Sequence, residues 1–200
     1  MAKIIGVSGA HGTGKTTVLN AIEQTEIGNV TIDAFSVSRH VQNDYGVPLA
    51  EIVANPVEVP AFQDKIVQTM VDRVGSLRKW YKSQDAFMFV DRSPVDTYAY
   101  AKIWLQGNQG YADWLTQYET KCANALRAYD LIILVPPREF EFVAESKRAS
   151  KETQIAHHNE CVEFLNTHGI NVYTVESLDV GDRCNEFLKA AGWKNPNEQN

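Results

Sequence analysis

Residues 9–16 read Gly-Ala-His-Gly-Thr-Gly-Lys-Thr, which fits the spacing GxxxxGK[ST] without a departure. Each residue type there suits the capture of a polyphosphate. Gly9, Gly12 and Gly14 let the backbone take positive φ and approach phosphate oxygens with no Cβ in the way. Successive N–H groups, through Thr13 and into a helix that starts by Thr17, form a concavity for anions. Lys15 supplies a point charge for the β- and γ-phosphates, and the Thr16 hydroxyl is a ligand for Mg2+. His11 fills a variable position, as a spacer or a further phosphate contact. The chemistry these residues imply is the binding of ATP with magnesium. The bland alternative is a glycine turn that joins a strand to a helix.

A triphosphate bound in this way needs a nearby carboxylate to hold the metal or its waters. Ala86-Phe87-Met88-Phe89-Val90-Asp91 is an apolar strand that ends in such a carboxylate. Arg92 follows at once and can neutralise charge on donor or acceptor phosphates. An ordinary ion pair at a strand end is the other use of an Asp-Arg step. Ser93 then reads as the N-cap, and Pro94 as the first position, of a helix that Asp96 continues.

The elements that must position these residues alternate between strand and helix, which is the pattern of a parallel sheet covered on both faces. Strands are expected at Lys3–Ser8, Val30–Asp33, Ala86–Asp91, Leu131–Val135 and Asn171–Val175. Most are short β-branched or aromatic runs, as strands buried on both faces require. The first helix is expected from Gly14 towards Glu26, and another at Val37–Gln42 and beyond. A proline-marked break at 56–60 precedes a long helix in which Val67, Met70, Val74, Leu77 and Tyr81 recur at spacings of three and four. Gln63 lies one step earlier on the same stripe, where a buried amide needs partners. Helices Asp96–Leu105, Tyr111–Arg127, Lys151–His168 (capped by Ser150 and ended by Gly169) and Asp182–Ala191 complete the chain. Trp80, Trp104 and Trp114 fall on helical stripes and read as packing residues.

The phosphate loop together with Asp91-Arg92-Ser93 resembles the P-loop nucleoside and nucleotide kinases, including thymidylate kinases and deoxynucleoside kinases. It is also similar to small kinase-type P-loop domains of phage genomes and of bacterial nicotinamide-riboside kinases. The resemblance follows the element order over about residues 1–190, although only the two motifs are specific. It implies an α/β, three-layer P-loop kinase fold whose five-stranded parallel sheet runs in the order 2-3-1-4-5. It implies catalytic roles for Lys15, Asp33, Asp91, Arg92 and Arg148, with Thr16 and Asp91 at the metal and Arg39, Gln63 and Arg92 at the acceptor. Asp33 is followed by Ala34 where the deoxynucleoside kinases carry Glu-Pro. Phe62-Gln63 matches their aromatic–glutamine pair against a nucleobase, and a structural glutamine is the alternative. Residues 136–151 stand where the family has its lid, with Arg138, Lys147, Arg148 and Lys151 as its cations. A solvated charged loop is the other reading of that segment.

Two hundred residues suit one domain, taken as 1–192 with a polar tail at 193–200. The formal charge of −6 argues against a broad basic surface for duplex nucleic acid. No apolar run is long enough to span a membrane. The start Met-Ala-Lys-Ile-Ile-Gly leaves no room for a signal peptide. The three scattered cysteines fit a reducing cytosol, and a cytoplasmic protein is expected. The expectation is an ATP-dependent phosphotransferase, a P-loop kinase, that acts on a nucleoside monophosphate or deoxynucleoside monophosphate. One alternative is a kinase for a hydroxyl of DNA or of a modified base in DNA. Another, from a different class, is an NTP-dependent switch or assembly ATPase. The sequence leaves a homodimer open.

Overall fold

The computed structural model describes residues 2–137 and 150–194. Five parallel strands, β1 (Lys3–Ser8), β2 (Val30–Asp33), β3 (Phe87–Asp91), β4 (Leu131–Leu134) and β5 (Val172–Thr174), form one sheet in the order β2-β3-β1-β4-β5. This is the expected α/β three-layer fold and strand order. Among the described residues, eight α-helices surround the sheet: α1 (Lys15–Gln24), α2 (Val37–Tyr45), α3 (Leu49–Ala54), α4 (Glu58–Trp80), α5 (Pro94–Trp104), α6 (Ala112–Leu126), α7 (Lys151–Thr167) and α8 (Val180–Ala191).

Alternation along the central strands builds the layers. Ile5 and Val7 of β1, Phe89 of β3 and Ile133 of β4 pack against Val18, Leu19 and Ile22 of α1 and Phe187 and Leu188 of α8. The neighbouring residues point the other way. Ile4, Met88 and Val90 meet Val74 and Leu77 of α4, while Ile132 and Leu134 join a cluster with α5, α6 and α7. A strand covered on both faces needs apolar residues at consecutive positions, hence Ile4-Ile5 and Leu131-Ile132-Ile133-Leu134. Gly6 interrupts β1 for a steric reason: a Cβ there would lie 2.9 Å from Ile132 Cδ1 and 3.0 Å from Ser93 Cβ. The glycine lets α5 close onto the strand that leads into the phosphate loop.

Helix ends follow local chemistry. Ser150 Oγ accepts from Thr153 N at 3.3 Å and starts α7, and Asp179 caps α8 through Gly181 N at 2.7 Å. Gly46, Gly169 and Gly192 take positive φ just beyond α2, α7 and α8, as chain reversal after a helix requires. Two readings need correction. Trp80 is 66% exposed and meets the Arg73 guanidinium instead of packing in the core. Trp193, assigned to the tail, packs on the α1/α8 side and its Nε1 donates to Asn29 Oδ1 at 3.2 Å. Arg138, Lys147 and Arg148 of the expected lid lie outside the described residues. No helix among the described residues is long and apolar enough to cross a membrane.

Candidate active site

The register β1–β3 places Val7 beside Asp91, so the Asp91 carboxylate and the strand feeding the phosphate loop end at one level. Beyond them Gly9, Gly12 and Gly14 all have positive φ. A Cβ on Gly9 would lie 2.4 Å from Val135 O, so only glycine fits where the loop leaves the sheet. Lys15 opens α1 and is 4% exposed. Its Nζ donates to Gly9 O at 2.8 Å, Ala10 O at 2.6 Å and Thr13 Oγ1 at 3.3 Å. The lysine therefore folds back onto its own loop.

Burial first, and then the Arg92 charge, bring the Lys15 pKa down to about 7 against the opposing pull of Asp96 and Asp91. Thr16 and Thr17 remain exposed at the mouth. Asp91 Oδ1 is buried and has no hydrogen-bond partner among the described residues. A buried anionic oxygen with no donor is costly unless something else satisfies it. Thr16 lines the same cleft, and a hydroxyl and a carboxylate are the oxygen ligands a hard cation such as Mg2+ takes.

Arg92 adopts φ +78, a left-handed conformation that is rare outside glycine. Its Nη1 donates to Gly9 O and, at 3.1 Å, to Asp96 Oδ1. Asp96 is the residue that sequence reasoning missed. It is 1% exposed; its Oδ1 also accepts from Gly9 N at 2.9 Å, and its Oδ2 accepts from Ser93 N at 3.1 Å. In the sequence, Ser93-Pro94-Val95-Asp96 reads as a complete helix start, and a capping role leaves nothing further to explain. Burial alone would raise the Asp96 pKa, but Arg92, Lys15 and the hydrogen bond from Gly9 N outweigh it and hold the carboxyl below its ordinary value.

Three further groups grip the loop. His11 N donates to Tyr100 Oη at 3.0 Å, and Gln154 Nε2 donates to His11 O at 2.8 Å. On the α8 side, Arg183 Nη1 donates to Thr13 O at 3.3 Å.

A cleft of about 800 Å³ runs from the phosphate loop to a wall of α2, α3 and α4. Lys15, Thr16, Thr17, Asp91 and Arg92 line one end, and Arg39, Phe62, Gln63, Ile66 and Met70 line the other. Gln63 is 1% exposed and its Oε1 has no hydrogen-bond partner among the described residues. Arg39 is exposed on the rim.

Asp33 is placed differently from its expected role as an acceptor base. It is absent from the cleft lining and is held by Arg73, whose Nε and Nη2 donate to its two oxygens at 2.9 and 2.8 Å. Asp33 sits at the end of edge strand β2, where the arginine at the middle of α4 captures it.

The profile described as an AAA domain matches residues 4–183, and the chain belongs to that family. No curated protein matches it. Among solved structures, the chain is similar to the NadR protein in complex with NR, with TM-score 0.71 and 18% identity over 96% of this chain and 52% of that one. This chain thus spans about half the length of NadR. It is also similar to thymidylate kinase from Ehrlichia chaffeensis, with TM-score 0.59 and 14% identity over 94% and 97% of the two chains. Deoxyadenosine kinase from M. mycoides with bound dCTP gives TM-score 0.62 and 14% identity over 94% and 98%. The fold is that of the P-loop nucleoside and nucleotide kinases.

Proposed function

We propose that this member of the AAA domain family is an ATP-dependent phosphotransferase whose acceptor is a nucleoside monophosphate or deoxynucleoside monophosphate. One observation carries the reading. A single cleft joins Lys15, Thr16 and Asp91 at one end to Arg39, Phe62 and Gln63 at the other. An enzyme that only hydrolyses a triphosphate needs room for water beside the γ-phosphate, whereas this cleft continues into an apolar wall with one buried amide. Gln63 has an unpaired oxygen there, which an N–H of a base edge satisfies.

In this reading, the loop amides and Lys15 hold the β- and γ-phosphates of ATP. Thr16 and Asp91 would hold magnesium, which would supply charge neutralisation for phosphoryl transfer. Lys15 leaves the Gly9 and Ala10 carbonyls to meet the triphosphate, whose negative charge raises the lysine pKa so that it takes up a proton from solvent. Arg92, fixed at the loop entrance, adds positive charge where negative charge develops. Catalysis here is positioning and electrostatics, with donor and acceptor held end to end. Arg148, outside the described residues, remains the proposed lid arginine. Asp33, engaged with Arg73, is assigned to tying strand β2 to α4.

Arg39 is the cation on the acceptor rim, and guanidinium groups bind phosphate oxygens in a bidentate fashion. The Arg39→Ala variant is therefore expected to raise KM for a nucleoside monophosphate at least about tenfold, with little change for the matching nucleoside. Steady-state kinetics with each acceptor pair checks this. Equal losses for both acceptors would contradict phosphate reading by Arg39.

A further inference from the structure

The buried carboxylate of Asp96 is more elaborately engaged than a helix cap requires. A residue at the third position of a helix serves the cap by accepting from the N-cap amide, and Asp96 Oδ2 does so through Ser93 N. The other oxygen faces away from that cap and collects three groups from three other elements. These are Gly9 N of the loop at 2.9 Å, Arg92 Nη1 at 3.1 Å and His157 Nε2 of α7 at 3.6 Å. A buried ion is tolerated only when its surroundings compensate it, and here the compensation comes from the phosphate-binding machinery itself. Arg92 holds its left-handed backbone under these contacts, and such strain persists only where neighbours over-determine it.

We propose that Asp96 is the positioning residue of the phosphate loop, fixing the Gly9 amide and the Arg92 guanidinium in the arrangement that receives the triphosphate. In the resting loop both Lys15 and Arg92 donate to Gly9 O, so two cations converge on one carbonyl. Asp96 anchors Arg92 and leaves Lys15 as the cation that moves. His157 joins α7 to this anchor: its ring packs on Tyr100 at 4.3 Å, and its Nε2 has no hydrogen-bond partner among the described residues. Burial lowers the His157 pKa to about 3, so it faces Asp96 as a neutral ring. The ligand atoms of Asp96, His157 and Cys161 lie within 4.8 Å of one another, but Lys15 and Arg92 face the same carboxylate. The cluster therefore anchors cations of the protein and is not built for a metal.

The proposal rests on the reading of residues 9–17 as a triphosphate site, and its test needs no acceptor. Asp96→Glu keeps both the charge and the helix cap, since glutamate is a usual residue at that position. Its extra methylene moves the carboxylate off Gly9 N and Arg92. Asp96→Asn keeps the size, yet no amide orientation suits both Gly9 N and Ser93 N, because both donate. MgATP binding by calorimetry is expected to weaken at least about tenfold in each variant, with thermal unfolding still cooperative. Inorganic triphosphate, which has no base or sugar, should weaken in the same ratio as MgATP in each variant. A merely structural cap, which Asp96→Glu preserves, would leave both ligands at wild-type affinity in that variant. Should a single variant fail to fold, Arg92→Gln/Asp96→Asn removes both charges together and is expected to show the same loss. Affinity within about threefold of wild type in any folded variant would overturn the proposal. Absence of MgATP binding by the wild type would instead remove the phosphate-site reading itself.

Discussion

Lys15 combines burial, three hydrogen bonds to its own loop and a pKa near 7, and these make its behaviour specific. The Lys15→Ala variant should lose about 10²–10³ in turnover, the usual cost of deleting a charge contact made in the transition state. It should melt close to wild type. The carbonyls it leaves keep other donors, Arg92 at Gly9 O and Thr13 Oγ1 at Ala10 O. Retention of more than about a tenth of the rate would contradict the role. The same residue sets a pH dependence. Its folded pKa is lowered from 10.5, so the unfolded chain holds more protons between about pH 7 and 10.5. Stability should accordingly rise with pH across that window as far as Lys15 contributes. Bound triphosphate favours the charged lysine, so MgATP affinity should fall as pH rises above about 7. Titration calorimetry at pH 6, 7 and 8 checks this, and an affinity that is flat over the range, or climbs with pH, would contradict it.

At the scale of elements, the clearest long-range device is the pair that joins edge strand β2 to α4. Arg73 makes two hydrogen bonds to Asp33, and Asp33 is only 7% exposed. Arg73→Gln leaves that carboxylate without its counter-charge, and a loss of about 1–3 kcal/mol in unfolding free energy is expected. MgATP affinity should not change, because Arg73 lies outside the cleft lining. Urea unfolding and calorimetry measure the two quantities, and a stable variant with weakened MgATP would contradict the assignment. This pair also shows where sequence reading stops. Periodicity located β2 and α4, but Arg73 reads as one more charged residue on a helix surface. Nothing local says that it reaches across forty positions to Asp33. By contrast, Gly9, Gly14, Lys15 and the strand ending in Asp91 were legible, because their chemistry needs fixed spacing along the chain. Asp96 was visible and misjudged, since a helix start already explained it. Gln63 stood out as an amide on an apolar stripe, and the structure buries it on the cleft wall.

At the scale of the molecule, the 2-3-1-4-5 order brings the phosphate loop after β1 next to Asp91 and Arg92 after β3. Helices α2, α3 and α4 enclose the cleft on the β2 side through Val37, Val41, Ile52, Phe62, Ile66 and Met70. The ends proposed for donor and acceptor therefore belong to one cleft, and that continuity is the basis for proposing transfer over hydrolysis. The most direct measurement is transfer of the γ-phosphate of labelled ATP, with magnesium, to separate pools of nucleoside monophosphates, nucleosides and an oligonucleotide. The account predicts a labelled nucleoside diphosphate from the monophosphate pool, with its formation abolished by Lys15→Ala. Release of inorganic phosphate alone at the same rate with or without every acceptor would contradict it.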